Sequence, residues 1–301
     1  MALDGLTEVT STSWISRLMD SIKNVLIGIV LFLVAFPVLF WNEGCSVKNY
    51  QALKEGAAGS VVIDPATVAP ANEGKLIFTS GQATTTENLQ DQLFNISSVA
   101  IRLERKVQMY QWTEKKTTDK KQKLGGGEET TTTYSYALGW SDQPQDSSQF
   151  KEPKGHANPV LNPPALSWTA GNVTVGAFTL PGTLVNSINK AEAFPATAAS
   201  LDKLPPDLKP RATVEPAGTV YIRAAAVAVE SGAAAPAAST STPADPAKPI
   251  LGDVRISFFR TLPTAVSLTA RQAGTTFAPF TTRQASRIPW APLPNRASAL
   301  T

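Results

Sequence analysis

Ile22-Lys-Asn-Val-Leu-Ile-Gly-Ile-Val-Leu-Phe-Leu-Val-Ala-Phe-Pro-Val-Leu-Phe-Trp41 is the stretch on which the reading of this chain turns. At about 1.5 Å of rise per residue, about 20 helical residues cover the roughly 30 Å hydrocarbon core of a bilayer. Val25 to Phe40 carries no charge, and all but Gly28, Ala35 and Pro37 are Val, Leu, Ile or Phe. Residues of those types contribute about −0.3 to −0.6 kcal/mol each on the insertion scale, a sum on the order of −4 to −8 kcal/mol. Lys23 stands where its ammonium snorkels to the headgroups, and Trp41 where interfacial aromatics gather. A core helix would carry a polar stripe at helical spacing, and none appears. A cleaved signal peptide has a shorter apolar region and a small-residue cleavage site, whereas Asn42, Glu43 and Gly44 follow here. Asn42 and Glu43 also occupy positions that a lipobox before Cys45 would fill with apolar or small residues. The spacing therefore predicts a retained transmembrane helix over 22–41, with residues 1–21 as a cytoplasmic tail.

Orientation is not decided by charge. Arg17 and Lys23 flank one side of the span, Lys48 and Lys54 the other. The short N-terminal tail favours a cytoplasmic N-terminus and an extracytoplasmic domain over 42–282.

That domain is long enough for one large or two small cores. A net charge of +3 in 301 residues argues against nucleic acid as a partner. The single cysteine, Cys45, excludes an internal disulfide framework. With the single histidine, His156, it falls short of the about four Cys/His ligands of a structural zinc site.

Past the span, Cys45 to Gly56 is expected to continue the helix until Gly56 and Gly59 end it. Strands are predicted at Ser60–Ile63, Lys75–Thr79, Gly218–Arg223, Asp253–Phe258, Ala265–Gln272 and Thr275–Thr281, the last two forming a hairpin about Gly274. Short elements are predicted at Val173–Leu180 and a short helix at Thr183–Lys190. The clearest β signal runs from Val99 to Trp140. Val99, Ile101, Leu103, Val107 and Met109 are placed on one face of a strand, and Tyr134, Tyr136, Leu138 and Trp140 on one face of another. Glu114 to Glu129 between them holds five lysines and Gly125-Gly-Gly127, and its interspersed acids mark a solvated hairpin tip. The Ala/Pro/Ser/Thr stretch 231–248 is expected to stay disordered, and 283–301 has no periodicity. The fold class is thus a membrane-anchored protein: one N-terminal transmembrane helix, then a β-rich (α+β) domain with antiparallel hairpins.

Chemical motifs are sparse. Cys45 at the membrane interface is a poor nucleophile for water-fed acyl transfer, and the inert-thiol reading is preferred over a Cys–His pair or palmitoylation. His156 lies in Lys154-Gly-His-Ala-Asn-Pro159 and reads as a polar latch bonding backbone groups, with a pH-sensitive contact as the alternative. No Gly-x-Ser-x-Gly elbow, Walker loop or Gly-x-Gly-x-x-Gly occurs. Tyr110, Trp112 and the Tyr134–Trp140 aromatics are expected to pair across strands. Asn42–Gly44 and Asn72–Gly74 repeat Asn-Glu-Gly, but their flanks differ, so they read as two turns. Sequons at Asn95 and Asn172 matter only in a eukaryotic secretory compartment.

Several segments together resemble the transmembrane protein 43 (LUMA) family. They are Trp41-Asn42-Glu43-Gly44, Val68–Leu76 with Asn72, Glu73 and Gly74, Arg102–Trp112 with Met109, Tyr110, Gln111 and Trp112, Tyr134–Tyr136, Gly155-His156-Ala-Asn158-Pro159, Gly252-Asp253-Val-Arg255 through Phe258, and Ala278–Phe280. The resemblance runs in order from about residue 20 to 282, and Met-Tyr-Gln-Trp is its most specific piece. It implies a first membrane helix followed by a domain facing the endoplasmic reticulum lumen in animals, at the reticulum and inner nuclear membrane with lamin and emerin partners. It implies no catalytic, cofactor-binding or metal residues. Relatives are expected to continue into further membrane helices, whereas this chain stops at Thr301, with a tail from about Gln284 that departs from the pattern and an apparent insertion at 231–248. The Ala/Pro-rich composition suggests a bacterial source, which would place the domain in the periplasm. The expected function is a non-enzymatic membrane protein whose domain organises membrane or protein partners. Its expected partners are the lipid bilayer and, by self-association or otherwise, membrane proteins. The alternatives are a lipid- or peptide-binding envelope sensor and, third, a membrane-associated hydrolase.

Overall fold

The structure, a computed structural model, describes residues 5–225 and 245–280. In chain order its elements are β1 (Gly5–Thr12), α1 (Trp14–Gly59), β2 (Val61–Val62), β3 (Leu76–Thr84), β4 (Asn88–Asp91), β5 (Ile96–Val99), β6 (Arg102–Gln122) and β7 (Glu128–Ser141). Then follow β8 (Leu166–Thr169), β9 (Thr174–Val175), β10 (Phe178–Thr179), α2 (Gly182–Asn186), β11 (Ala191–Ala193), β12 (Ala212–Val214), β13 (Val220–Ile222), β14 (Val254–Thr261), β15 (Thr264–Ala273) and β16 (Thr276–Ala278). The predicted stretches 231–248 and 283–301 lie, apart from 245–248, outside the described residues.

Helix α1 is longer than the 22–41 prediction at both ends, and among the described residues it is the one helix long and apolar enough to cross a membrane. Its 46 residues reach about 69 Å at about 1.5 Å each, over twice the hydrocarbon thickness. Leu31, Phe32, Leu33 and Leu39 are 61–63% exposed, the state expected of side chains meant for lipid. Pro37 is accommodated inside the helix. The C-terminal extension ends at Gly59, one of the two glycines predicted to stop it.

Residues 5–12 are not an unpaired tail. Gly-Leu-Thr-Glu-Val-Thr-Ser-Thr is rich in β-branched residues, and it lies antiparallel on β7 from Gly5 opposite Ser135 to Thr12 opposite Glu128.

The chain clusters into two compact units. The first comprises Met1–Val38, Val107–Pro164 and Pro205–Ile256. Its strands follow the order β1-β7-β6-β14-β13-β12. The β6–β7 hairpin pairs continuously from Met109 opposite Ser141 to Gln122 opposite Glu128. The predicted tip over 114–129 is therefore mostly ladder, and the turn itself is confined to 123–127. At the turn end of this ladder Glu128 and Glu129 meet Lys120 at 3.3 Å and Lys123 at 2.5 Å. Val107, Met109, Val220, Tyr221, Ile222, Val254 and Ile256 make the core of this unit.

The second unit comprises Leu39–Lys106, Ala165–Leu204 and Ser257–Thr301. Here β3, β15, β16, β10 and β9 pair in a closed circuit, with β2 added in parallel to β3. Closure leaves few free edges. Ile77, Val173, Val175, Phe178, Leu268 and Phe277 fill it, with the Phe178 and Phe277 rings stacked at 5.1 Å. Gly176 lies at φ +58°, and a Cβ there would strike the Pro65 carbonyl. Beside the circuit, β4 pairs β5, β8 pairs the first residues of β6, and β11 pairs the end of β14.

The alternation expected around residue 101 is corrected in two places. Val99 ends the separate strand β5 and is 49% exposed. The inward position skipped between Leu103 and Val107 is Arg105, buried with its Nη1 2.8 Å from Asp91 Oδ2. The Phe94 and Trp168 rings lie 5.4 and 5.6 Å from its guanidinium carbon. Desolvation lowers the Arg105 pKa, and Asp91 opposes that shift.

Candidate functional site

Four of the motif segments, at 109–112, 134–136, 155–159 and 252–255, converge in the first unit. On one edge of β6, Tyr110 N donates to Asp253 O and Gly252 N donates to Tyr110 O, each at 2.8 Å. Two residues on, at Trp112, the ladder continues through a side chain. Trp112 N donates to Asn158 Oδ1 at 2.7 Å, and Asn158 Nδ2 donates to Trp112 O at 2.9 Å and to Gln145 O at 3.2 Å. One Asn amide, with a donor and an acceptor side by side, thus stands in for a strand partner. Pro159 and Gly252 also come together. Gly252 has φ +88°, and a Cβ on it would lie 3.0 Å from Pro159 Cγ and 3.2 Å from Ala224 Cβ.

Gln111 points inward and is fully buried. Its Nε2 donates to Gln143 O at 2.6 Å and its Oε1 accepts from Gln145 N at 3.1 Å, so both polar atoms are matched. His156 follows the structural reading. Its ring stacks on Tyr136 at 4.0 Å and meets Trp112 edge-on at 4.8 Å, while Nδ1 lies 3.0 Å from Glu152 O. The left-handed Gly155, at φ +87°, turns the chain so that His156 enters this slot. Tyr136 OH donates to Glu114 Oε2 at 2.8 Å and accepts from Glu152 N at 2.9 Å. Burial, then the bond to Glu114, raises the Tyr136 pKa.

Asp253 is the most heavily engaged residue of the site. It is fully buried; Oδ1 accepts from Ala224 N at 2.8 Å, and Oδ2 accepts from Ile250 N at 2.8 Å and from the Tyr221 hydroxyl. Arg223 Nη1 stands 3.5 Å from the same oxygen. One carboxylate thus bonds the backbone at both Ala224 and Ile250. Burial first, and the bond to Asp253 second, push the Tyr221 phenol pKa well above its ordinary value. Arg255 lies over the Trp140 ring, 4.3 Å from its centroid, and 3.7 Å from Glu215. Trp140 pairs across the ladder with Tyr110, their ring centroids 5.4 Å apart, as expected of these aromatics.

The remaining motif residues belong elsewhere. Asn42, Glu43 and Gly44 lie inside the exposed helix α1 and not in the turn expected of them, and Cys45 follows on the same helix. Asn72, Glu73 and Gly74 form a turn on the β15–β16 hairpin of the second unit: Glu73 Oε2 accepts from Gly274 N at 2.8 Å and Gly74 N donates to Gln272 O at 3.0 Å. Tyr221, Arg223 and Trp140 lie outside the motif positions, although they complete the cluster. The apolar run Val220-Tyr221-Ile222 marks a strand, but no local pattern reveals that Tyr221 meets a partner 32 residues away.

An exposed apolar helix leading into a strand-rich domain, with a buried aromatic and polar cluster, defines a membrane protein with a β-rich domain. The family profile described as transmembrane protein 43 matches residues 109–294, more than half of the chain. The chain belongs to the transmembrane protein 43 family. The match runs to residue 294, beyond about Gln284, from which the tail is expected to depart from the pattern. Transmembrane protein 43 of Mus musculus is 27% identical over 297 residues, covering 94% of this chain and 67% of the relative. That of Homo sapiens is 30% identical over 195 residues, covering 64% and 47%. The Drosophila melanogaster homolog is 34% identical over 137 residues, covering 44% and 36%. No solved structure matches the chain.

Proposed function

We propose that this chain is a non-enzymatic membrane organiser: α1 holds it in a bilayer, and the β-rich domain gathers protein partners, a second copy included, at the extracytoplasmic face. In a bacterial cell that face is the periplasm. The observation that carries this reading is how the motif side chains are used. Gln111, Asn158, His156 and Asp253 bond to backbone groups of neighbouring segments, so the cluster fixes a shape rather than presenting reactive groups. Family membership and the single described span support the membrane setting.

The test is lysine-directed crosslinking in native membranes, followed by mass spectrometry. The expected result is recurrent crosslinks from Lys115, Lys121 or Lys203, all exposed, to a second copy or to another membrane protein. Crosslinks confined to single chains would overturn the organiser reading.

A further inference from the structure

The β1–β7 ladder and a single crossing of α1 are incompatible. Between Gly59 and residue 225 no further helix long and apolar enough to span is described, so chain connectivity keeps β7 on the side of the bilayer where α1 ends. β1 directly precedes α1, and a helix that crosses once delivers it to the opposite side. Yet β1 is paired with β7 over its whole length. The pairing is reinforced by Lys151 Nζ, 2.6 Å from Glu8 Oε1, and by Arg17, whose Nη1 donates to Gly126 O at 2.7 Å and whose Nη2 lies 3.6 Å from Glu128. The hairpin end that holds β1 cannot follow it through hydrocarbon. Lys120, Lys121, Lys123, Glu128 and Glu129 are charged, and the outer edge of β7 carries backbone groups that lipid leaves unpaired.

We propose that β1 is an insertion-released latch. It covers the outer edge of β7 while α1 is outside the bilayer and is stripped from it when α1 crosses. The covered edge, with its run Thr130–Thr133, has the β-branched composition that pairs readily with other chains, so a cover before insertion guards the free chain against edge-to-edge association. Insertion supplies the driving force, because residues 25–40 of α1 carry no charge on any face of the helix. Its completion bares a strand edge on the domain side. This rests on the proposed reading that α1 crosses the bilayer once.

The experiment uses the full chain with Cys45→Ser and one of two cysteine pairs, Thr7→Cys with Thr133→Cys or Thr10→Cys with Thr130→Cys. Both pairs are direct cross-strand neighbours, and being three residues apart they sample both spacings of an antiparallel ladder. Oxidation is followed after cell-free synthesis without membranes and in membranes of expressing cells. The expected result is disulfide formation without membranes and a loss of at least about tenfold in the inserted protein. Equal yields in both settings, or no disulfide in either, would overturn the latch. A separate Thr118→Cys reporter, labelled from outside with an impermeant maleimide, reads the side of the domain. Labelling only after lysis would defeat the extracytoplasmic placement, while the disulfide comparison still decides the latch.

Discussion

Tyr221 and Asp253 show how much of this site depends on single hydrogen bonds in a buried setting. Tyr221→Phe keeps the ring and removes one donor from Asp253 Oδ2, which retains Ile250 N and Arg223. Loss of one bond to a buried charged acceptor costs about 1–3 kcal/mol, which thermal unfolding of the detergent-solubilised protein at neutral pH will show. The pH dependence has a definite sign. A phenol whose pKa is raised by folding contributes stability that is fully present below the unfolded value of about 10 and is lost as pH rises beyond it. The wild-type protein should therefore lose stability above about pH 10 more steeply than Tyr221→Phe. Parallel pH profiles for the two proteins would show that Tyr221 does not stay protonated in the fold. At this scale the sequence marks Asp253 and Arg255 by family likeness and Tyr221 only as a residue of the predicted strand Gly218–Arg223. Partner identity was not legible, because the bonds to Asp253 come from residues brought to it by β13 and by the turn at Ile250.

Two elements meet β6 by unusual means, and both are testable. Where β14 leaves the edge of β6, Asn158 supplies the next pair of ladder bonds. Asn158→Ala removes both, leaving the Trp112 amide and carbonyl without them, and should cost about 1–3 kcal/mol. Hydrogen exchange should accelerate at the Trp112 amide while the amides of β13 keep their protection; unchanged exchange at Trp112 would mean another group takes over. Gly252→Ala probes the close passage of the 155–159 loop past the start of β14. Its φ of +88° and the 3.0 Å approach to Pro159 Cγ both oppose a Cβ, and the expected loss is about 1–3 kcal/mol by the same unfolding assay. Elements with strong periodicity were legible: the β6–β7 hairpin, β14 and the β15–β16 hairpin all fall where alternation predicts them. Elements that owe their existence to a partner were not. β4 and β8 are four residues each, and β1 reads as a polar tail until β7 is beside it.

For the whole molecule the decisive quantity is the transfer energy of α1, since among the described residues it is the one helix long and apolar enough to cross a membrane. Each Leu or Val replaced by Arg at the helix centre exchanges about −0.5 kcal/mol for about +3, a change of roughly 3–4 kcal/mol on the insertion scale. Leu31 and Val34 lie three residues apart, on one face near the middle of the apolar run. The pair Leu31→Arg and Val34→Arg therefore shifts the balance by roughly 6–8 kcal/mol, comparable to the whole favourable sum of about 4–8 kcal/mol. Either single variant should remain largely resistant to alkaline carbonate extraction, and the double variant should be released. Val160→Arg is the matched control: Val160 is 91% exposed in a loop of the domain, so the same added charge there leaves extraction unchanged. Retention of the double variant at the wild-type level would show that α1 is not what holds the protein in the membrane. Release of both single variants would mean that the apolar run inserts with far less margin than its composition gives.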